Sequence, residues 1–147
     1  MPAKRKPLWI FEKSSQFSIQ DIENVLFDID EGSFSGNDMP FIYTNQMSCH
    51  IKEENGRFIV HFHDGHKEFV TVDTTNHQLT IQGEWWYKGV YTLSQENNHT
   101  NISSQVFNVA RKGRWMASLM ALFEKTTHEK NFHVFVERIE AAIKRRK

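Results

Sequence analysis

Hydrophobic side chains recur along this chain in two rhythms. From Phe41 to Ala110 they fall mostly at every second position, as on strands with one buried face. From Gly113 onward they fall three or four apart: Trp115, Leu119, Leu122 and Phe123, then, after a polar middle, Phe132, Phe135, Val136, Ile139 and Ile143. Those offsets put each group on one helix face, which predicts a helix through the last 35 residues, Gly113 to Lys147. An amphipathic helix of that length needs a broad apolar surface to lie on, and the alternating segments supply one.

The start of the chain reads as a strand over Leu8–Phe17, with Trp9, Phe11 and Phe17 on one side and Leu8 and Ile10 on the other. Ser18 then caps a short helix carrying Ile22, Val25, Leu26 and Ile29, ending near Asp30. Glu31 to Pro40, rich in Gly, Ser and Asn, reads as a loop or a brief second helix. Phe41, Tyr43, Met47, Cys49 and Ile51 then share one strand face.

Asn55-Gly56 predicts a type I′ hairpin, whose two central residues need positive φ, and it sets Ile51 opposite Val60 and Cys49 opposite Phe62. Asp64-Gly65 predicts a second tight turn that pairs His63 with His66 and sets Phe69 opposite Val60. Strands follow over Lys67–Asp73 and around Leu79 and Ile81. From Gly83 an aromatic strand turns at Asn97-Asn98 and returns as Thr100–Ala110. That register pairs Leu93 with Ile102, Tyr91 with Ser104, Gly89 with Val106, Tyr87 with Asn108 and Trp85 with Ala110; Trp86, Lys88, Thr92, Ser103 and Gln105 take the solvent side.

With 147 residues the chain suits one domain, and its twelve Phe and four Trp can build a core from few, large side chains. Its net charge is zero, but seven of the eighteen bases lie at the ends (Lys4, Arg5, Lys6; Lys144, Arg145, Arg146, Lys147). The body is therefore acidic, which argues against a nucleic-acid partner and makes residues 1–7 a basic tail before a domain over 8–147. One cysteine, Cys49, excludes an internal disulfide and fits a reducing, cytoplasmic setting. No apolar run is long enough to span a membrane or serve as a signal peptide, so stable membrane insertion is not expected, and the sequons at Asn98 and Asn101 read as chance.

Strand, short helices, six antiparallel strands and a long last helix form the order of the α+β helix-grip fold. The phrase Gly83-Glu-Trp-Trp-Tyr-Lys-Gly-Val-Tyr-Thr-Leu, the strand after it and the helix opening Arg114-Trp115 resemble the polyketide-cyclase and lipid-transport group of the START-like (SRPBCC, birch-pollen-allergen-like) superfamily. The resemblance implies a curved antiparallel sheet of about seven strands wrapped around the last helix. It also implies a cavity between them that takes a hydrophobic or amphipathic small molecule. Related enzymes of the cyclase type point acid–base groups into that cavity, but no catalytic residue of the family carries over to a position of this chain, so none is assigned.

The strand register places Tyr87, Tyr91, Ser104 and Asn108 inward among Trp85, Leu93, Ile102 and Val106, the mixture typical of a small-molecule wall. Met116, Leu119, Met120 and Phe123 are the expected helix side. Tyr87 bonded to Asn108 and Tyr91 to Ser104 would instead fill a solid core. His50, His61, His63 and His66 fall on one face with Glu68 opposite His61, a possible metal set, yet on the wet side of the sheet, so neither metal nor cofactor is expected. Glu124 and His128, one helical turn apart, could form an acid–base pair or simply face water at the open end. Cys49 reads as a buried hydrophobe.

Overall fold

The structure is a computed structural model describing residues 6–35, 43 and 48–146. The elements in order are β1 (Trp9–Ser15), α1 (Ile19–Leu26), β2 (Gly32–Phe34), β3 (Cys49–Glu54), β4 (Arg57–Phe62), β5 (Lys67–Asp73), β6 (Gln78–Gln82), β7 (Tyr87–Glu96), β8 (His99–Asn108) and α2 (Arg114–Arg146). The eight strands form one antiparallel sheet in the order β1-β8-β7-β6-β5-β4-β3-β2. It is curved and unclosed, and α2 completes the helix-grip layout. β2 is the strand beyond the expected seven: it lies in the stretch read as loop or second helix and pairs Gly32 with Ile51 and Phe34 with Cys49. Residues 36–42 and 44–47, where the rest of that expectation and the strand start at Phe41 fall, lie outside the described residues.

Local chemistry accounts for most of the framework. Ser18 Oγ accepts from the Asp21 amide at 3.1 Å, and Ile22, Val25 and Leu26 bury the inner face of α1. The helix stops at Leu26, where the Phe27 amide bonds to the Glu23 carbonyl; this is short of Asp30, although Ile29 remains buried beyond it. Asn55 and Gly56 take φ of 54° and 79°, as a type I′ turn requires, and β3–β4 pair in the expected register. From Tyr87–Asn108 to Leu93–Ile102 the β7–β8 register is also the expected one.

Three expectations are corrected. At the β4–β5 turn, the Gly65 amide bonds to the Phe62 carbonyl and the Phe62 amide to the His66 carbonyl, each at 3.0 Å, with Gly65 at φ +98°. This is a type I turn closed by a left-handed glycine bulge, one residue longer than the tight turn. Val60 consequently faces Glu68, not Phe69, and His61 faces Lys67. Since side chains alternate, a slip of one reverses the strand: Glu68 turns inward, and Phe69 faces out beneath the Arg57 guanidinium, 4.4 Å from the ring centre.

The second correction concerns the aromatic strand, which begins at Tyr87 and not at Gly83. Residues 83–86 bend, the Gly83 amide bonds to the Tyr87 carbonyl at 2.9 Å, and the expected Trp85–Ala110 pair does not form. The bend brings Trp86 to the inner side.

The third lies in α2. Its later stripe is buried as expected, at Phe132, Phe135, Val136, Ile139 and Ile143. In the first half Ala117 and Ala121 face the protein, while Trp115, Leu119, Leu122 and Phe123 point outward. The helix start is held close to the end of β8, where Asn108 Nδ2 donates to the Arg114 carbonyl at 2.9 Å and to Ser118 Oγ at 2.8 Å. At that separation only small side chains fit between helix and sheet. Among the described residues no helix is long and apolar enough to cross a membrane.

Candidate functional site

A cavity of about 340 Å³ lies between the sheet and the middle of α2. Four of the expected residues line it: Tyr87, Tyr91, Ser104 and Val106. The sheet adds Phe11, Glu68 and Ile81, the bend before β7 adds Gly83 and Trp86, Tyr43 lies against the cavity, and α2 supplies Glu124, His128, Asn131, Phe132 and Phe135. The helix side therefore begins just after the expected quartet. Met116, Leu119, Met120 and Phe123 sit on the outer face, exposed by between 45% and 84%, and do not line the cavity. Asn108 is inward and buried but engaged with α2 and, through Oδ1, with the Ala110 amide at 3.0 Å. Trp85 is 41% exposed, its indole N–H bonded to the Lys112 carbonyl at 2.9 Å. These two organise the helix start.

Polar groups cluster on one side. Burial pushes the Glu68 carboxyl above its ordinary value, against the opposing pull of Tyr43 and of His66, whose Nε2 lies 3.7 Å away. Tyr43 is 7% exposed, and its hydroxyl lies against the Glu68 carboxyl. Its backbone is anchored from α2, since Arg138 Nη1 donates to the Tyr43 carbonyl at 2.6 Å. The Tyr87 hydroxyl is set against Tyr91, and Tyr91 against Ser104. Burial raises both phenols, that of Tyr91 to about 12. Of the expected core-filling contacts, Tyr91–Ser104 is present, and the Tyr87 hydroxyl also meets Tyr91. Gly89 permits this arrangement: a Cβ there would stand 3.0 Å from Tyr87 Cζ and closer still to its hydroxyl, so the ring folds back over a bare backbone.

The opposite side is an aromatic box around His128. Its ring stacks on Tyr87 at 5.5 Å between centroids and contacts Trp9 at 5.3 Å and Trp86 at 6.3 Å. Nε2 lies 3.5 Å from Glu124. His128 is thus a half-buried part of the cavity lining, while Glu124 sits at its rim and, like residues 125–127, is exposed to water as expected. Together the walls offer carboxyls, phenols, an imidazole and an amide beside Phe11, Ile81, Phe132 and Phe135, able to hold both polar and apolar parts of a small molecule.

The other histidines do not assemble. His50 and His61 pair across β3–β4 on the outer surface, and the His63 amide bonds to the Ser48 carbonyl. His66, past the bulge, stacks on Phe62 at 4.4 Å and bonds Asp64 at 2.7 Å. Among the described residues no group of three His, Cys, Asp or Glu side chains could hold a metal ion. Cys49 is buried, and burial raises its thiol.

The site residues missed from sequence share a cause. Glu68 depended on the bulge, Trp86 on the bend before β7, and Tyr43 on its anchoring by Arg138. Gly65 gave no signal of the bulge, because a turn of either length uses it.

No protein-family model matches the chain, and no curated protein matches it in sequence. Among solved structures, the solution structure of Bacillus halodurans protein BH1534 is similar, with a TM-score of 0.52 and 15% identity over 94% of this chain and 99% of that one. At such identity the likeness is one of fold: a sheet with a C-terminal helix in the helix-grip layout.

Proposed function

We propose that the protein binds a small amphipathic molecule in the cavity between its sheet and α2, as START-like proteins of the polyketide-cyclase and lipid-transport group do. The observation that carries this reading is the cavity itself, where the Tyr43, Tyr87 and Tyr91 phenols and the Glu68 carboxyl face Phe11, Ile81, Phe132 and Phe135. A ligand hydroxyl, carbonyl or amine would meet hydrogen-bonding partners in these phenols and this carboxyl. A space of about 340 Å³ also favours a bound ligand over a domain filled by its own aromatics. That volume lies at the lower end of small-molecule sites, which suits a compact ligand better than a long acyl chain.

Tyr43→Phe tests the reading. It removes one phenol from the cavity wall, so a ligand co-purified from the native host and identified by native mass spectrometry should bind at least about fivefold more weakly. Unchanged affinity for that ligand, or a parent protein that never carries one, would defeat it. A second reading is an enzyme of the cyclase or hydratase type, favoured by Glu68, whose raised pKa suits it to act as a general acid. Turnover of the captured ligand that Glu68→Gln abolishes without weakening its binding would establish that reading; binding without turnover leaves the protein a carrier.

A further inference from the structure

We propose that the outward face of the first turns of α2 docks the protein onto an anionic lipid surface. Trp115, Leu119, Leu122 and Phe123 are exposed by 71%, 51%, 68% and 84%, flanked by Met116 at 45% and Met120 at 45%. At 3.6 residues per turn these side chains form one patch centred on Leu119, diametrically opposite the buried Ala117 and Ala121. An unbroken patch of large apolar groups is costly in water and marks a contact surface.

The charges around the patch name the partner. Arg111, Lys112 and Arg114 are exposed at its leading end, and Lys125 and Lys130 at its trailing end. No acidic residue occurs from 111 to 123, so the leading end is basic, whereas at the trailing end Glu124 and Glu129 are exposed beside Lys125 and Lys130. Bases in the first turn oppose the helix dipole, so they do not serve the helix itself. A basic leading end beside an aromatic and aliphatic centre is complementary to phosphate headgroups over acyl chains. Trp85 extends the patch, packed beside Gly113 with its N–H already bonded, leaving an apolar ring at the edge. A second copy docked in parallel would set the basic leading ends together, whereas an anionic surface complements them in any orientation.

Co-sedimentation of the full chain with vesicles tests this. Binding should occur with phosphatidylcholine mixed with phosphatidylglycerol and be absent with phosphatidylcholine alone. Raising salt from about 0.1 to about 1 M should release the protein as screening shortens from about 10 Å to about 3 Å. The double substitution Leu119→Ser, Phe123→Ser, at exposed positions, should keep the melting temperature and weaken binding at least about tenfold; Lys112→Glu with Arg114→Glu should do the same. No binding to the mixed vesicles, binding that survives both double substitutions, or a homodimer dissolved by Phe123→Ser would overturn the proposal, the last by assigning the patch to a second copy.

Discussion

The chain has three tyrosines, and all three phenols are raised, first by burial: Tyr43 and Tyr87 well above 10.0, and Tyr91 to about 12. Glu68 adds negative charge near each. The folded state therefore keeps protons that the unfolded chain releases near pH 10, and stability falls as pH rises past that value. Tyrosinate absorbance should stay flat through pH 10 and rise only as the protein unfolds; a normal titration in the native state would contradict this placement. Glu68 follows the same sign in a lower window. Its folded pKa lies above the ordinary glutamate value, so its contribution to stability is lost as pH climbs from there through the folded value. Glu68→Gln should flatten the dependence of melting temperature on pH in that window and raise it at neutral pH. A steeper dependence would show that the carboxylate is paired more strongly than His66 at 3.7 Å allows.

Within elements, α2 divides into halves with different packing. Ala117 and Ala121 are 0% and 1% exposed against the sheet end, so Ala121→Leu should overpack and cost about 1–3 kcal/mol. Phe135, 1% exposed and 4.8 Å from the Tyr91 ring, should cost about 3–5 kcal/mol when cut to Ala. Phe123→Ser, on the outer face of the same helix, should stay within about 0.5 kcal/mol of the parent. Urea unfolding of the three variants checks the order, and a large loss at Phe123 would place that side chain in the core. The β4–β5 bulge is the other decisive local feature. Gly65 at φ +98° tolerates no ordinary side chain without strain, so Gly65→Val should destabilise by about 1–2 kcal/mol and disturb the site through Glu68.

For the molecule as a whole, the sheet joins the ends of its own chain. β1 pairs with β8, Trp9 opposite Val106, so the first strand waits for the last before it can dock. Ser15 Oγ donates to Glu140 at 3.0 Å, tying the same strand to the final helix. Such long closures are costly before they are rewarded, and refolding followed by tryptophan fluorescence should run in milliseconds to seconds. A microsecond phase recovering the full native signal would be inconsistent with this topology.

Strand faces, the Asn55-Gly56 turn and the β7–β8 register were legible in the sequence because period-two burial and positive-φ turn chemistry act over a few residues. Tyr87, Tyr91, Ser104 and Val106 followed from them and do line the cavity. The long helix was equally legible as a helix, since spacing alone defines it. What spacing does not define is which of two apolar stripes is covered: that depends on how near the sheet the helix starts, and Asn108 brings it so near that alanines replace the large side chains at the contact. Glu68 belongs to the same class of fact, because one residue of turn length, indifferent to local pattern, decides which way a whole strand faces. The sequence by itself determined elements and their faces; tertiary structure decided which faces meet and hence where the chemistry lies, because contact is a property of two surfaces and pattern a property of one.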